Sequence, residues 1–348
     1  MSEYIDLLKE LISTPSFSGE EEKAAEVMRL FLTGKGMDYK TSLNNTWTKN
    51  LYFREGLPTI LLNSHIDTVR PVQGWASDPF LPGEEDDKIT GLGSNDAGGP
   101  LVALLAAFVH FYDRDDLPFN LIFAATAEEE TSGVNGVESI LGKIPKPDFA
   151  IVGEPTGMDV AIAERGLLVL DCYTKGKSGH AARNEGENAI YKAMEEIQKL
   201  QQFKFEKISP LLGEVKITVT QIEAGTQHNV IPDVCHFVVD VRTNEYYSNR
   251  KAFEVISGLI ESKVAARSFR LNSSGIAETH PYLQKAKSLG IGFYGSPTTS
   301  DQAVLPCPSV KIGPGQSARS HTADEYILIS EIVAGIERHI QLLEGLQL

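Results

Sequence analysis

The sequence predicts an α/β protein in which a first domain, built on a mainly parallel sheet, is interrupted by a smaller inserted βαββαβ unit. Three observations carry that expectation. Short continuous apolar runs at Thr59 to Leu62, Asn120 to Ala125, Phe149 to Val152 and Ser309 to Ile312 read as strands buried on both faces. Between two of them, Pro100 to Tyr112 is apolar enough to be a helix that covers a sheet face. After Glu164 the pattern changes to alternation and amphipathic helices, and the first pattern returns only at Ser309. A chain of 348 residues also exceeds the usual size of one hydrophobic core. The boundaries read as 1–164 and 275–348 for the split domain and 165–274 for the insertion.

The elements follow in order. Ile5, Leu8 and Ile12 share one face of a first helix, which Thr14-Pro15 ends. Ser18, with Glu21 three residues on, has the spacing of a capping box and predicts the start of a second helix. In the insertion, Leu167 to Tyr173 reads as a strand, Glu187 to Leu200 as a helix with Ile190, Met194 and Ile197 on one side, and Val215 to Ile222 as an alternating strand. Val234 to Arg242 alternates, with Cys235, Phe237, Val239 and Val241 on one face. Phe253, Ile256 and Ile260 mark a helix, and Phe269 to Leu271 a last strand. Ile329 to Leu343 is the closing helix of the split domain.

Composition narrows the function. A net charge of -15 argues against a nucleic-acid partner, whose binding relies on Lys and Arg. No apolar run reaches the roughly 18 to 20 residues of a membrane span, and the start Met1-Ser2-Glu3-Tyr4 lacks the character of a signal peptide. The expectation is a cytoplasmic protein without a membrane partner. Cys172, Cys235 and Cys307 are scattered in apolar or alternating contexts, so they read as buried reduced thiols rather than disulfides or metal ligands.

Chemistry-bearing residues gather at strand ends, where ligands collect in open α/β sheets. His65-Ile66-Asp67 follows an apolar run, and residues two apart point to one side, so Asp67 can hold the second nitrogen of a metal-bound His65; an ordinary surface His and Asp is the equal alternative. Asp96 sits in the Gly91 to Gly99 turn. That turn fails as a nucleotide loop, because Asp96 occupies the third glycine position and no G-K-[ST] follows; a helix cap remains an alternative. Glu128-Glu129-Glu130 follows another strand, where a solvated acidic loop is the common explanation and a bound dication the other. Glu154 ends a third strand, and His321 follows a fourth. His65, Asp96, Glu130, Glu154 and His321 together form an imidazole and carboxylate set suited to zinc, cobalt or manganese. Such a set exceeds the need of one tetrahedral ion, so two ions sharing a carboxylate and a water explain it better.

Taken in order, Ser64 to Val69, Gly91 to Gly99, Ala127 to Thr131, Val152 to Thr156, Ser178-Gly179-His180-Ala181 and Ser320-His321 resemble the motifs of the zinc-dependent family of aminoacylases, acetylornithine deacetylases, succinyl-diaminopimelate desuccinylases and related carboxypeptidases and dipeptidases. The resemblance spans nearly the whole chain and implies a zinc-exopeptidase-like catalytic domain with a ferredoxin-like dimerisation and lid domain. It implies that His65 and Glu154 hold one metal, Glu130 and His321 the other, with Asp96 bridging, Asp67 orienting His65 and Glu129 as general base. It further implies a homodimer in which His180 reaches the partner subunit's site, and substrate contacts from Asn229, Ser300 and Asp301. Arg242 fits a substrate carboxylate and equally a surface ion pair with Asp240 or Glu245. Gly98 and Glu128 depart from the family, which often has Lys and Asp there.

The resemblance implies a hydrolase that removes the acyl group from an N-acyl amino acid. N-acetylornithine, as in arginine biosynthesis, is the first expectation, from Thr131 and from Asp324-Glu325-Tyr326 after His321. An N-succinyl amino acid, or a dipeptide or carboxypeptidase substrate, is the alternative. A silent binding protein on the same scaffold is disfavoured by the intact Glu129. No G-x-S-x-G elbow points to a serine hydrolase, and His110, His236, His280 and His339 read as core or surface residues.

Overall fold

A computed structural model describes residues 2–183 and 185–348. The chain forms two compact units, one of residues up to Ile162 with Ile276–Tyr294 and Ser300–Leu348, the other of Ala163–Gly275 and Gly295–Thr299.

The first unit is layered around a mixed sheet whose strands run in the order Tyr39–Ser42, Asn45–Lys49, Asn120–Thr126, Thr59–His65, Phe149–Val152, Ser309–Lys311 and Val160–Glu164. Its centre is parallel: Thr59–His65 pairs in parallel with both Asn120–Thr126 and Phe149–Val152, and Phe149–Val152 with Ser309–Lys311. Antiparallel strands lie at the flanks, including the hairpin formed by the first two. The continuous apolar runs are explained by burial, since every residue of Thr59–His65, Asn120–Thr126 and Phe149–Val152 is buried. The helix Gly99–Phe111 is apolar all round because it is enclosed, packing against Thr59–His65 on one side and against the helices Ser2–Ile12 and Ile329–Leu343 on others. Parallel strands share a direction, so the residues that follow them emerge at one sheet edge.

The second unit is an antiparallel sheet in the order Lys216–Ala224, Val234–Thr243, Gly166–Lys175 and Lys263–Ala266. Alternation puts Leu168, Leu170, Cys172, Cys235, Phe237, Val239 and Val241 against Ala189, Ala193, Ala252 and Ile256 of two helices, Ala189–Gln202 and Asn249–Leu259. Side-chain oxygens cap both, Asn188 accepting from the Ile190 N–H at 2.9 Å and Ser248 from that of Lys251 at 3.2 Å.

Two local expectations fail. The last strand of the second unit is Lys263–Ala266, not Phe269 to Leu271. Two alanines give the true strand little apolar signal, whereas Phe269 is apolar because its ring packs edge-on against Phe253 at 5.3 Å. The capping box is absent as well: the second helix is Glu22–Gly34, with Glu21 as an N-cap that makes no side-chain cap bond. Ser18 instead donates to Asp67 Oδ2 at 2.6 Å. The Glu21 carboxylate accepts from Gly19 N at 2.5 Å, Asn44 Nδ2 at 2.7 Å and Glu128 N at 3.2 Å. A hydroxyl bonded to a buried carboxylate outcompetes a neutral cap contact.

Among the described residues, no helix is long and apolar enough to cross a membrane. His339, on Ile329–Leu343, is fully buried, and neither ring nitrogen has a hydrogen-bond partner among the described residues. Burial lowers its pKa to about 3. A depressed folded-state value means that the unfolded chain takes up the proton first. Stability is therefore present above the ordinary histidine range and is lost as pH falls from about 6.5 toward 3. His339→Leu is expected to flatten that acid limb by about 2 kcal/mol at pH 5, read as the pH dependence of the chemical-denaturation midpoint.

Candidate metal centre

The carboxyl edge of the parallel strands converges on one site. His65, the last residue of Thr59–His65, is 2 % exposed. Its Nδ1 lies 2.9 Å from the Asp67 carbonyl oxygen and 3.4 Å from Asp67 Oδ1, and its Nε2 lies 3.2 Å from Asp96 Oδ1 and 3.9 Å from Glu154 Oε1. Nδ1 is thereby engaged by Asp67, while Nε2 faces the carboxylates, the arrangement of a ligating imidazole with its second nitrogen held.

Asp67 does more than orient His65. Its Oδ1 accepts from Glu129 N and its Oδ2 from Glu130 N, both at 3.1 Å, so one carboxylate fixes the turn after Asn120–Thr126. That turn starts with Glu128 at a φ of 56° and closes through Ser132 N to Glu129 O at 2.7 Å. The Glu128 side chain folds back to accept from Asn135 Nδ2 at 2.9 Å and Asn135 N at 3.2 Å. Of the three adjacent glutamates, Glu129 and Glu130 are thus left to the site.

Two groups of donor atoms lie close enough for a metal, each within 4.8 Å of one another: His65, Asp96 and Glu130, and His65, Glu129 and Glu154. His321 joins from the loop after Ser309–Lys311, its Nε2 lying 2.9 Å from Glu130 Oε2 and 3.6 Å from Asp96 Oδ2. Each of the five residues expected as ligands therefore lies beside at least one other, with Asp96 between the two histidines. The donor chemistry fits divalent ions of the zinc and cobalt kind, and the cysteines lie elsewhere. Glu154 Oε1, buried and without a hydrogen-bond partner among the described residues, is the orphan acceptor that a cation would satisfy.

The electrostatics have the same cause. Burial, then repulsion from Glu154, pushes Glu129 well above the carboxylate range. Burial and the nearby Asp96 raise Glu154 to about 8. Burial raises Glu130, against the pull of His321. For His65 burial acts downward, but the bonds to Asp67 and Asp96 and the charge of Glu129 outweigh it and raise the imidazole. The bond to Glu130 raises His321 to about 9. Upward shifts at Glu129, Glu130 and Glu154 and at both imidazoles, with Asp96 alone of the expected ligands held low, against burial, by its bonds to His65 and Ser320, mark a surplus of negative charge that a dication would offset.

The expected substrate residues are placed less uniformly. Asp301 is 8 % exposed, and its Oδ2 accepts from Asn63 Nδ2 at 2.7 Å and Thr126 Oγ1 at 3.3 Å, beneath the strand ends that carry His65 and the Glu129 turn. Ser300 caps the short helix Asp301–Val304, accepting from Gln302 N. In the second unit, Arg242 makes a two-bond pair with Asp240, at 2.8 Å and 3.0 Å. His180 and Asn229 come together on an exposed ribbon, where His180 pairs with Val230 and Ala181 N donates to Asn229 O at 2.9 Å. Sequence reasoning missed Ser18 and Glu21, whose spacing matches an ordinary cap. It also missed the supports that Asn63 and Thr126 give to Asp301, which no local pattern marks.

Similarity to known proteins agrees with this geometry. The profile of peptidase family M20/M25/M40 matches residues 61–345. A succinyl-diaminopimelate desuccinylase of Xylella fastidiosa is 26% identical, with 99% of each chain covered. A [LysW]-lysine/[LysW]-ornithine hydrolase of Sulfurisphaera tokodaii is 29% identical over 98% of this chain and 95% of its own. Among solved structures, an M20 family metallo-carboxypeptidase of Sulfolobus solfataricus superposes with a TM-score of 0.77 at 18% identity, covering 99% of both chains. A dinuclear metal-binding M20 peptidase of Bacillus subtilis superposes at 0.75 and 17%, covering 99% of this chain and 98% of its own. With the fold, the matched profile and the donor set in agreement, the chain belongs to peptidase family M20/M25/M40 and is a metal-dependent hydrolase of amide bonds.

Proposed function

We propose that the protein is an N-acyl amino acid deacylase with a dinuclear centre, and that its substrate is an N-succinyl amino acid in preference to N-acetylornithine. The convergence of His65, Asp96, Glu130, Glu154 and His321 beside Glu129 is the observation that carries the reading. Full-length similarity to relatives named succinyl-diaminopimelate desuccinylase favours the succinyl substrate over the acetyl one expected from local motifs, and points to lysine rather than arginine biosynthesis.

His65 and Glu154 would hold one ion, Glu130 and His321 the other, with Asp96 shared; zinc fits the set, and cobalt is its nearest substitute. When bound, the ions supply an acidified water and polarise the amide carbonyl. Glu129 takes the proton as the water oxygen attacks the carbonyl carbon. It returns that proton to the nitrogen as the C–N bond breaks, releasing a carboxylic acid and a free amino acid. Asp67 holds the His65 ring and the turn bearing Glu129 together. Asn229, Ser300 and Asp301 remain candidates for substrate contact, and Arg242 joins them if a substrate carboxylate displaces Asp240.

A homodimer is part of the same reading. The edge strand Lys216–Ala224 carries no buried residue, and Tyr191 and Met194 on the adjoining helix are 67% and 57% exposed. An unpaired edge beside apolar side chains invites a second copy. His180 would then serve the partner's site by stabilising the oxyanion.

Three outcomes are expected. Glu129→Gln lowers kcat by about 10²- to 10⁴-fold while metal content, measured by elemental analysis, is unchanged; full activity in that variant would refute the mechanism. In a side-by-side panel, N-succinyl-ornithine and N-succinyl-diaminopimelate are hydrolysed with higher kcat/KM than N-acetylornithine or dipeptides, and a dipeptide preference would replace the deacylase reading by a peptidase one. Mixing Glu129→Gln and His180→Ala protomers regains activity that neither variant shows alone; no recovery after confirmed subunit exchange would exclude a role for His180 across the dimer.

A further inference from the structure

Asp96 stands at a kink. It lies inside the single turn Ser94–Gly98 at φ -120° and ψ 98°, outside helical geometry. Its N–H and that of Asn95 are therefore not consumed by a regular ladder, and buried donors of this kind need an acceptor. Both donate to one atom, Glu325 Oε1, each at 2.9 Å. Glu325 is 2 % exposed, and its own carbonyl oxygen accepts from Gly91 N at 2.9 Å. Two further bonds tie the same turn to the loop that carries His321: Gln316 N donates to Asn95 Oδ1 at 2.9 Å, and Asn95 Nδ2 donates to Ser320 Oγ at 3.2 Å. Glu325 thus lies four residues after His321 on a segment bonded to the Asp96 turn at both ends.

We infer that Glu325 is a positioning residue, which sets the place of the Asp96 carboxylate between His65 and His321, where two ions would share it, by holding the backbone N–H groups of Asn95 and Asp96. This rests on the dinuclear reading above. Asp96 sits between His65 Nε2 at 3.2 Å and His321 Nε2 at 3.6 Å, so a small backbone shift would draw it toward one histidine and away from the other. A bridging ligand tolerates such a shift poorly, because it must satisfy two ions from one side chain. Glu325 acts through the peptide backbone and touches no reacting atom. The Gly93 N–H donates to the same carboxylate, and what the Asn95 and Asp96 N–H groups require is an acceptor oxygen at the reach of a glutamyl chain, whatever its charge.

Position and charge separate in three variants. Metal-stripped wild type, Glu325→Gln, Glu325→Asp and Glu325→Ala would be titrated with Zn²⁺, with bound metal counted and kcat and KM measured at saturation. Glu325→Gln keeps an oxygen at the same reach and is expected to bind two ions, with kcat within about threefold of wild type. Glu325→Asp keeps the charge but withdraws the oxygen by one methylene. It and Glu325→Ala are expected to bind the weaker ion some 10- to 100-fold less tightly and to lose kcat on that scale, with KM little changed. If Glu325→Ala does not fold, the comparison of Gln with Asp decides alone. An Asp variant nearer to wild type than the Gln variant, or unchanged two-ion binding in the Asp variant, overturns the assignment. Wild-type protein that takes up a single ion overturns the dinuclear reading itself, and this assignment with it.

Discussion

Like charges held together at one sheet edge are the constraint on which the rest of the structure depends. Asp96, Glu129, Glu130 and Glu154 share a small, largely buried volume, with Asp67 and Asp301 beneath. Two unit charges 4 Å apart repel by about 4 kcal/mol at the effective dielectric of a protein interior near its surface, so the cluster cannot be fully ionised without compensation. Compensation comes partly from His65, His321 and the buried Lys311, whose charge pulls the Glu154 pKa down. The remainder fits a pair of dications. A site so unfavourable by itself is one that metal binding stabilises strongly.

Repelling groups must also be kept from relaxing apart, which explains the density of supports behind the ligands. Ser18 and the backbone of the Glu129 turn hold Asp67; Glu21 links the start of the helix Glu22–Gly34 to Glu128; Asp301 joins Asn63 to Thr126 across two parallel strands. The supports arrive from separate parts of the chain, the Ser18 to Glu21 segment, Asn63, Thr126 and Asp301. The parallel sheet makes this possible, because it brings residues distant in sequence to one edge with a common direction.

Much of this was legible in the sequence, and the parts that were not share a cause. Buried parallel strands announce themselves by unbroken apolar runs, and residues of ligand type after them stand out, as His65, Glu130, Glu154 and His321 do; Asp96 stands out instead by its glycine-rich turn. Supports cannot be read that way. Ser18 and Glu21 match a helix cap because a cap needs the same side chains, and only the tertiary position of Asp67 redirects the hydroxyl. The strand Lys263–Ala266 escaped notice because two alanines carry little periodic signal, while Phe269 drew attention through a contact made outside the sheet. Substrate recognition is the least legible, since it depends on shape rather than residue type.

The order in which the donors occur along the chain governs when the centre can be completed. His65 to Glu154 are synthesised within the first half, the whole second unit comes next, and His321 follows only near the end. During translation the early carboxylates therefore exist for more than a hundred residues of synthesis without one of their two imidazoles. The full donor set can therefore come together only after the second unit has been made.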